Sequence, residues 1–215
     1  MKAAFFDMDR TLVRVNTGRL YVRWRFERGE ASLRDAARYT LWIAQYTLGV
    51  IDPTSVTRRA VRTLEGVRED DFRREVGQFF EEKVVPHISR DARRAVERYR
   101  EEGYRLVILS ASTPYATEPL AEELCIDHVL CSELAVHDGV FTGTCASLCY
   151  GHGKVRAAEA WAEAHDVDLA ASVFFSDSTS DLPMLERVGK PVCINPDPRL
   201  RLQAWRRRWP IQTWT

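Results

Sequence analysis

Lys2-Ala3-Ala4-Phe5-Phe6-Asp7-Met8-Asp9-Arg10-Thr11-Leu12 is the stretch on which the reading of this chain turns. An apolar run, Ala3 to Phe6, leads directly into one acid and, two positions later, a second. Short continuous apolar runs ended by polar residues are how the buried strands of parallel sheets read. Side chains alternate faces along a strand, so Asp7 and Asp9 would point the same way if the strand ran through both. Two carboxylates would then crowd the strand's carboxyl end, the place where open α/β sheets bind ligands. Such a pair calls for a cation, and hard oxygen donors suit Mg2+. On these residues alone, an exposed strand end with two solvated acids is the competing reading.

Downstream, residues 14–86 show helical periodicity and no strand-like alternation. Gly18 to Arg28 carries Leu20, Tyr21 and Trp24 on one side, and Ser32 to Leu48 follows with Ser32 as N-cap and Gly49 as stop. Pro53 opens a third helix with Val56, Ala60, Val61 and Leu64 on its apolar face, closed by Gly66. Asp70 to Val84 makes a fourth around Phe72, Val76, Phe79 and Phe80. From residue 87 the pattern changes. A helix from Ser89 stops at Gly103, a strand Tyr104–Leu109 ends at Ser110, and a helix from Thr113-Pro114 runs to Leu124. Asp127–Cys131 is a short strand, Asp138-Gly139 marks a hairpin, and Lys154–His165 is a helix. Ser172–Ser176 is a strand ending at Asp177, Asp181–Val188 a helix, and Pro191–Ile194 a last strand. This alternation predicts an α/β fold: a doubly wound parallel sheet formed by residues 1–13 and 87–215, with a small α-helical cap inserted at 14–86.

Composition narrows the function. With 31 basic against 31 acidic residues the formal charge is zero, so no global field draws nucleic acid or an acidic lipid surface. The longest apolar stretch, Tyr39 to Ile51, is too short and too interrupted to span a bilayer. Five cysteines, an odd number, in a chain that enters a strand at once without a leader lead to the expectation of reduced thiols in the cytoplasm. Cys145, Cys149 and His152 match no standard zinc spacing. Arg206-Arg207-Arg208 reads as a solvated tail.

Three predicted strands thus end in polar groups: Asp7 with Asp9, Ser110, and Asp177. Asp181, four residues beyond Asp177, can reach back, and Lys154 opens a helix after Gly151-His152-Gly153. If those strands are neighbours, acids for a metal, a hydroxyl and an ammonium converge in a set that suits a phosphoryl group.

In these segments the chain resembles the haloacid dehalogenase (HAD) superfamily of phosphohydrolases, in particular its phosphoserine-phosphatase-like branch, subfamily IB, with a helical cap. Asp7-Met8-Asp9-Arg10-Thr11-Leu12 matches the first motif of that family, Ser110 the second, Lys154 the third, and Ser176-Asp177-Ser178-Thr179-Ser180-Asp181 the fourth. The resemblance implies a phosphatase with Asp7 as nucleophile and Asp9 as general acid and base. It implies Mg2+ held by Asp7, the Asp9 carbonyl and Asp177, with Asp181 supporting or ligating, and phosphoryl oxygens bound by Ser110 and Lys154. The expected substrate is a small phosphorylated metabolite, such as phosphoserine or histidinol phosphate. A phosphotransferase or mutase, and a non-catalytic phosphate-binding module, are the other readings of the same fold. Arg10 stands where the family usually has Gly, and Ser176, Ser178 and Ser180 stand where it usually has Gly or Asn. Arg10 either turns outward or contacts substrate. With Asn16, Thr17, Arg19 and Arg23 close behind, Arg10, Arg19 and Arg23 are candidate substrate-binding residues. Trp24, Tyr39, Trp42 and Tyr46 are either the bundle's core or a cover for an apolar leaving group.

Overall fold

The computed structural model describes residues 1–30 and 53–215, without the side chains of 53–57. The expected helix over Ser32–Leu48, with Tyr39, Trp42 and Tyr46, lies outside the described residues. The chain divides into two compact units, one of residues 1–15, 87–132 and 148–215, the other of 16–86 and 133–147.

The first unit is built on a parallel sheet. Its strands are β1 (Ala3–Phe6), β2 (Arg105–Leu109), β3 (His128–Leu130), β6 (Val173–Ser176), β7 (Lys190–Ile194) and β8 (Ile211–Gln212), ordered β3-β2-β1-β6-β7-β8. Every pairing in it is parallel. The central strand β1 is buried along its whole length, and its two phenylalanines face opposite layers. Phe5 meets Trp161 edge-on at 5.7 Å, on helix α6 (His152–Ala164). Phe6 stacks on Phe175 at 4.8 Å and lies 6.5 Å from Tyr99, on helix α4 (Arg90–Glu101). Burying each such ring contributes roughly 1.5–3 kcal/mol, which explains why these strands carry no alternation. Ser89 caps α4, accepting the Ala92 N–H at 3.2 Å, and helix α5 (Pro114–Glu123) opens on proline where no donor is needed.

The second unit holds helices α1 (Thr17–Glu27), α2 (Pro53–Arg62) and α3 (Glu69–Phe79), and α3 runs on into a π-helical turn at Phe80–Val84. Tyr21, Trp24, Phe72 and Phe79 pack ring against ring, so Trp24 serves the core of this unit. The hairpin of β4 (Glu133–His137) and β5 (Val140–Ser147) belongs to this unit, whereas the sequence reading placed it within a continuous 87–215 core. The cause is Phe141, which is buried edge-on against Phe72 at 5.4 Å. Its backbone also pairs with Gly66 and Val67. Asp138 and Gly139 both take positive φ, as the tight two-residue turn requires.

Three further differences concern the first unit. Strand β1 stops at Phe6, where the apolar run ends, so the condition under which Asp7 and Asp9 would share a strand face is not met; residues 8–12 turn, and Asp9 forms an isolated bridge with Val13. Arg206 and Arg207 are exposed, as a solvated run should be, but they form no tail: after helix α7 (Leu182–Arg187) they close a helix α8 (Pro198–Arg207) that buries Leu200 and Ala204. Strand β8 pairs with β7 over two residues, too short to show any period.

Candidate active site

In the register of the sheet, Phe6 lies beside Ile108 on β2 and beside Phe175 on β6. The residues that follow these strands therefore sit side by side at the carboxyl edge: Ser110 after β2, Asp7 after β1, Asp177 after β6. Asp7 extends the ladder by one bond, its N–H donating to the Phe175 carbonyl at 2.9 Å. The Ser110 N–H donates to Leu130 O at 2.9 Å, and its hydroxyl accepts the Ser112 N–H at 3.1 Å. All three residues are buried.

Lys154 enters from α6. The loop before it passes so close to Leu148 that a Cβ at position 153 would come within 2.1 Å of the Leu148 carbonyl oxygen, so only glycine fits there. The ammonium that results is 2% exposed and donates to Asp7 Oδ1 at 2.6 Å and to Asp181 Oδ2 at 2.7 Å. Burial opposes that charge, but Asp181 and Asp7 outweigh burial and hold the lysine protonated, well above its ordinary range. Asp181 Oδ2 also accepts the Ser176 hydroxyl at 2.7 Å. Burial raises the Asp7 carboxyl above the usual carboxylate range; Lys154 pulls it back, and the charges of Asp181 and Asp9 push it further up. Asp177 is pushed up to about 8, by burial first and by the charge of Asp7 next, against the downward pull of Arg10. Arg10 adopts φ 59°, and its guanidinium stands 3.4 Å from Asp177 Oδ2.

These shifts bear on a metal. Asp7, Asp9, Asp177 and Asp181 outnumber the cations Lys154 and Arg10, and a buried excess of hard oxygen donors is what a divalent ion such as Mg2+ relieves. Among the described residues no three His, Cys, Asp or Glu side chains gather as a ready metal cage, Cys145, Cys149 and His152 included. At the sheet edge the carboxylates instead pair with cations, Asp177 with Arg10 and both Asp7 and Asp181 with Lys154.

Arg19 and Arg23 lie on α1 in the second unit, where Arg23 Nε donates to Glu27 Oε1 at 2.8 Å. Asn16 caps that helix, accepting the Arg19 N–H at 3.0 Å.

Asp197 is a residue of this site that motif reading overlooked. Its N–H donates to the Asp177 carbonyl at 2.8 Å, and its carboxylate accepts both the N–H and the hydroxyl of Thr179 at 2.7 Å. The same carboxylate caps α8 through the N–H groups of Arg199 and Leu200. One side chain thus ties the 177–181 loop to a helix end. Although burial opposes it, this set of donors holds the Asp197 carboxyl below its ordinary range. The signal was present in Asp197-Pro198, a capping acid before a proline at the first helical position.

Comparison with known proteins finds relatives of this chain. A family model described as haloacid dehalogenase-like hydrolase matches residues 4–186. The chain is 31% identical over 213 residues to the "Inhibition of morphological differentiation protein" of Streptomyces azureus, covering 97% of this chain and 77% of that one. It is 24% identical over 214 residues to a histidinol-phosphatase of Neisseria meningitidis, covering 97% and 96%. The solved structure of a phospho-aspartyl intermediate analogue of phosphoserine phosphatase superposes with a TM-score of 0.73 at 18% identity, covering 98% of this chain and 91% of that one. At that identity the likeness is one of fold.

Proposed function

The chain belongs to the haloacid dehalogenase-like hydrolases, and from that premise we propose that it is a Mg2+-dependent phosphomonoester hydrolase working through an aspartyl-phosphate on Asp7. The observation that carries this reading is the buried Lys154 ammonium 2.6 Å from Asp7 Oδ1, beside strands that end in Ser110 and Asp177.

In the first step an Asp7 carboxylate oxygen bonds to phosphorus as the ester P–O bond breaks, and the leaving alkoxide takes a proton from Asp9. In the second, Asp9, now a carboxylate, takes a proton from water. The water oxygen bonds to phosphorus as the P–O bond to Asp7 breaks, releasing phosphate and restoring both residues. Lys154 and Ser110 bind the phosphoryl oxygens, and Lys154 holds Asp7 in place for attack. Asp7, the Asp9 carbonyl and Asp177 would hold Mg2+, with Asp181 in support; the ion supplies positive charge that lets a carboxylate approach a phosphate. Asp197 fixes the loop that carries Asp177 and Asp181.

The substrate is a small phosphorylated metabolite, phosphoserine or histidinol phosphate by the names of the similar proteins. Residues 14–86 would be the cap that chooses the leaving group, with Arg19 and Arg23 on α1 as its anion-binding candidates; Arg10, in the first unit, is a separate one. Hydrolysis of p-nitrophenyl phosphate and of a panel of metabolite phosphates, with and without Mg2+, tests the proposal. The wild type should turn over with Mg2+ and Asp7→Asn should not, because an amide cannot form the acyl-phosphate. A wild type inactive on the whole panel overturns it.

A further inference from the structure

Two cations serve the carboxylates of the sheet edge, and they are held differently. Lys154 is enclosed, its side chain 2% exposed, and cannot leave. Arg10 has a side chain 51% exposed, while the Asp177 carboxylate it reaches, Nη1 to Oδ2 at 3.4 Å, is 7% exposed. Its backbone takes left-handed φ, pinned by its N–H donating to the Val15 carbonyl at 3.2 Å. The turn therefore aims a long, half-exposed guanidinium at a buried acid, and a buried carboxylate left without a cation is costly.

Resting on the Mg2+ site proposed above, we infer that Arg10 is a tethered counter-cation of Asp177, which Mg2+ displaces on binding. The guanidinium stands at Asp177 Oδ2, so a metal ion that takes the same oxygen competes with it, and the arginine then weakens metal affinity. In return it keeps Asp177 paired whenever the metal is away. Loading the metal then frees the guanidinium at the carboxyl edge of the sheet, so that an anionic group on the leaving alcohol meets an unpaired arginine only in the metal-loaded enzyme.

The test is calorimetric titration of Mg2+ into the wild type, Arg10→Gln and Arg10→Gly, with arginine side-chain 15Nε–H signals followed by NMR. Arg10→Gln should tighten Mg2+ binding by about two- to fivefold, the factor expected for removing a partly exposed ion pair. Arg10→Gly should tighten it as much, and its metal-free Tm should fall with the loss of the counter-cation of Asp177 but less than in Arg10→Gln, since glycine takes positive φ without strain. The Arg10 Nε–H signal, identified by its absence in Arg10→Gln, should move in step with the heat of Mg2+ binding. Mg2+ binding that is equal or weaker in both variants, or an Arg10 signal that stays still while the metal saturates, overturns the inference. Should the wild type hydrolyse p-nitrophenyl phosphate with Mg2+ while the variants bind the ion no tighter, the hydrolase reading stands and only the role of Arg10 falls. If neither the wild type nor Arg10→Gln binds Mg2+, the metal site and this inference fall together.

Discussion

Lys154 and Asp7 meet 2.6 Å apart, with side chains 2% and 10% exposed. Arg23 and Glu27, on helix α1, meet at nearly the same separation, 2.8 Å, with side chains 77% and 43% exposed. Geometry alone would rate the two pairs alike, yet the solvent around them makes them different objects. In water the attraction is screened and the pair contributes about 0–1 kcal/mol. In the sheet edge both charges have lost their hydration, so each depends on the other, and removing one partner costs about 3–5 kcal/mol. A fold keeps such a pair where chemistry needs charge in place before the substrate arrives. The helical unit carries its charges as i,i+3 and i,i+4 pairs such as Arg73–Glu69 and Arg74–Asp71, which are suited to solubility.

The largest expected effect is at Lys154. Lys154→Ala strands Asp7 and Asp181 together in a buried site, so urea unfolding should show a loss of about 3–5 kcal/mol, and assays a higher KM with a lower kcat. Stability equal to wild type would erase the contrast between the two regions.

Next is pH. The ordinary aspartate value is 3.8, while Asp177 is raised to about 8 and Asp7 is raised as well. Between those values the folded, metal-free protein binds more protons than the unfolded chain, so its stability falls as pH rises from about 5 to 8. Saturating Mg2+ should flatten that slope, because the ion favours the ionised carboxylates. Thermal melts across pH with EDTA or with Mg2+ read this directly, and parallel curves in the two would contradict it.

Asp197 should come third. Asp197→Ala removes the cap of α8 and the anchor of Thr179, an expected loss of about 1–2 kcal/mol in chemical denaturation. Asp197→Asn keeps an oxygen for the cap but loses one acceptor. It should therefore recover most of the stability while leaving KM raised, a split that a purely structural role would not produce.

The smallest effect is at Arg23, where Arg23→Ala should change stability by less than about 0.5 kcal/mol. A raised KM at that unchanged stability would mark Arg23 as a substrate contact, and an unchanged KM would leave it a solvated pair.

Local patterns were legible because they are local. The buried run Ala3–Phe6, the capped helix after Ser89, the Asp138-Gly139 turn and the strands ending at Ser110 and Asp177 depend on neighbours a few residues away. They emerged within a residue or two of where they were read. Asp197 escaped because its partners Thr179 and Asp177 lie 18 and 20 positions earlier in the chain, and capping chemistry says nothing of which loop a cap will also hold. Whether β1 runs on through Asp7 and Asp9 stayed open in the sequence because the turn after Phe6 is held by Val13 and Val15, whose hydrogen bonds leave no periodic trace.

By itself, then, the amino-acid order determined the alternation of strands and helices, the helical insertion and the identity of the acids, lysine and serine at the strand ends, since side-chain chemistry and hydrophobic period are properties of the chain. Tertiary structure alone decided that β2, β1 and β6 are neighbours, that Phe141 carries its hairpin into the helical unit, that Lys154 bridges Asp7 and Asp181, and that Arg10 turns to Asp177. Those outcomes depend on pairing and burial between segments far apart in sequence, and they are set when apolar faces and uncompensated charges compete for the same partners.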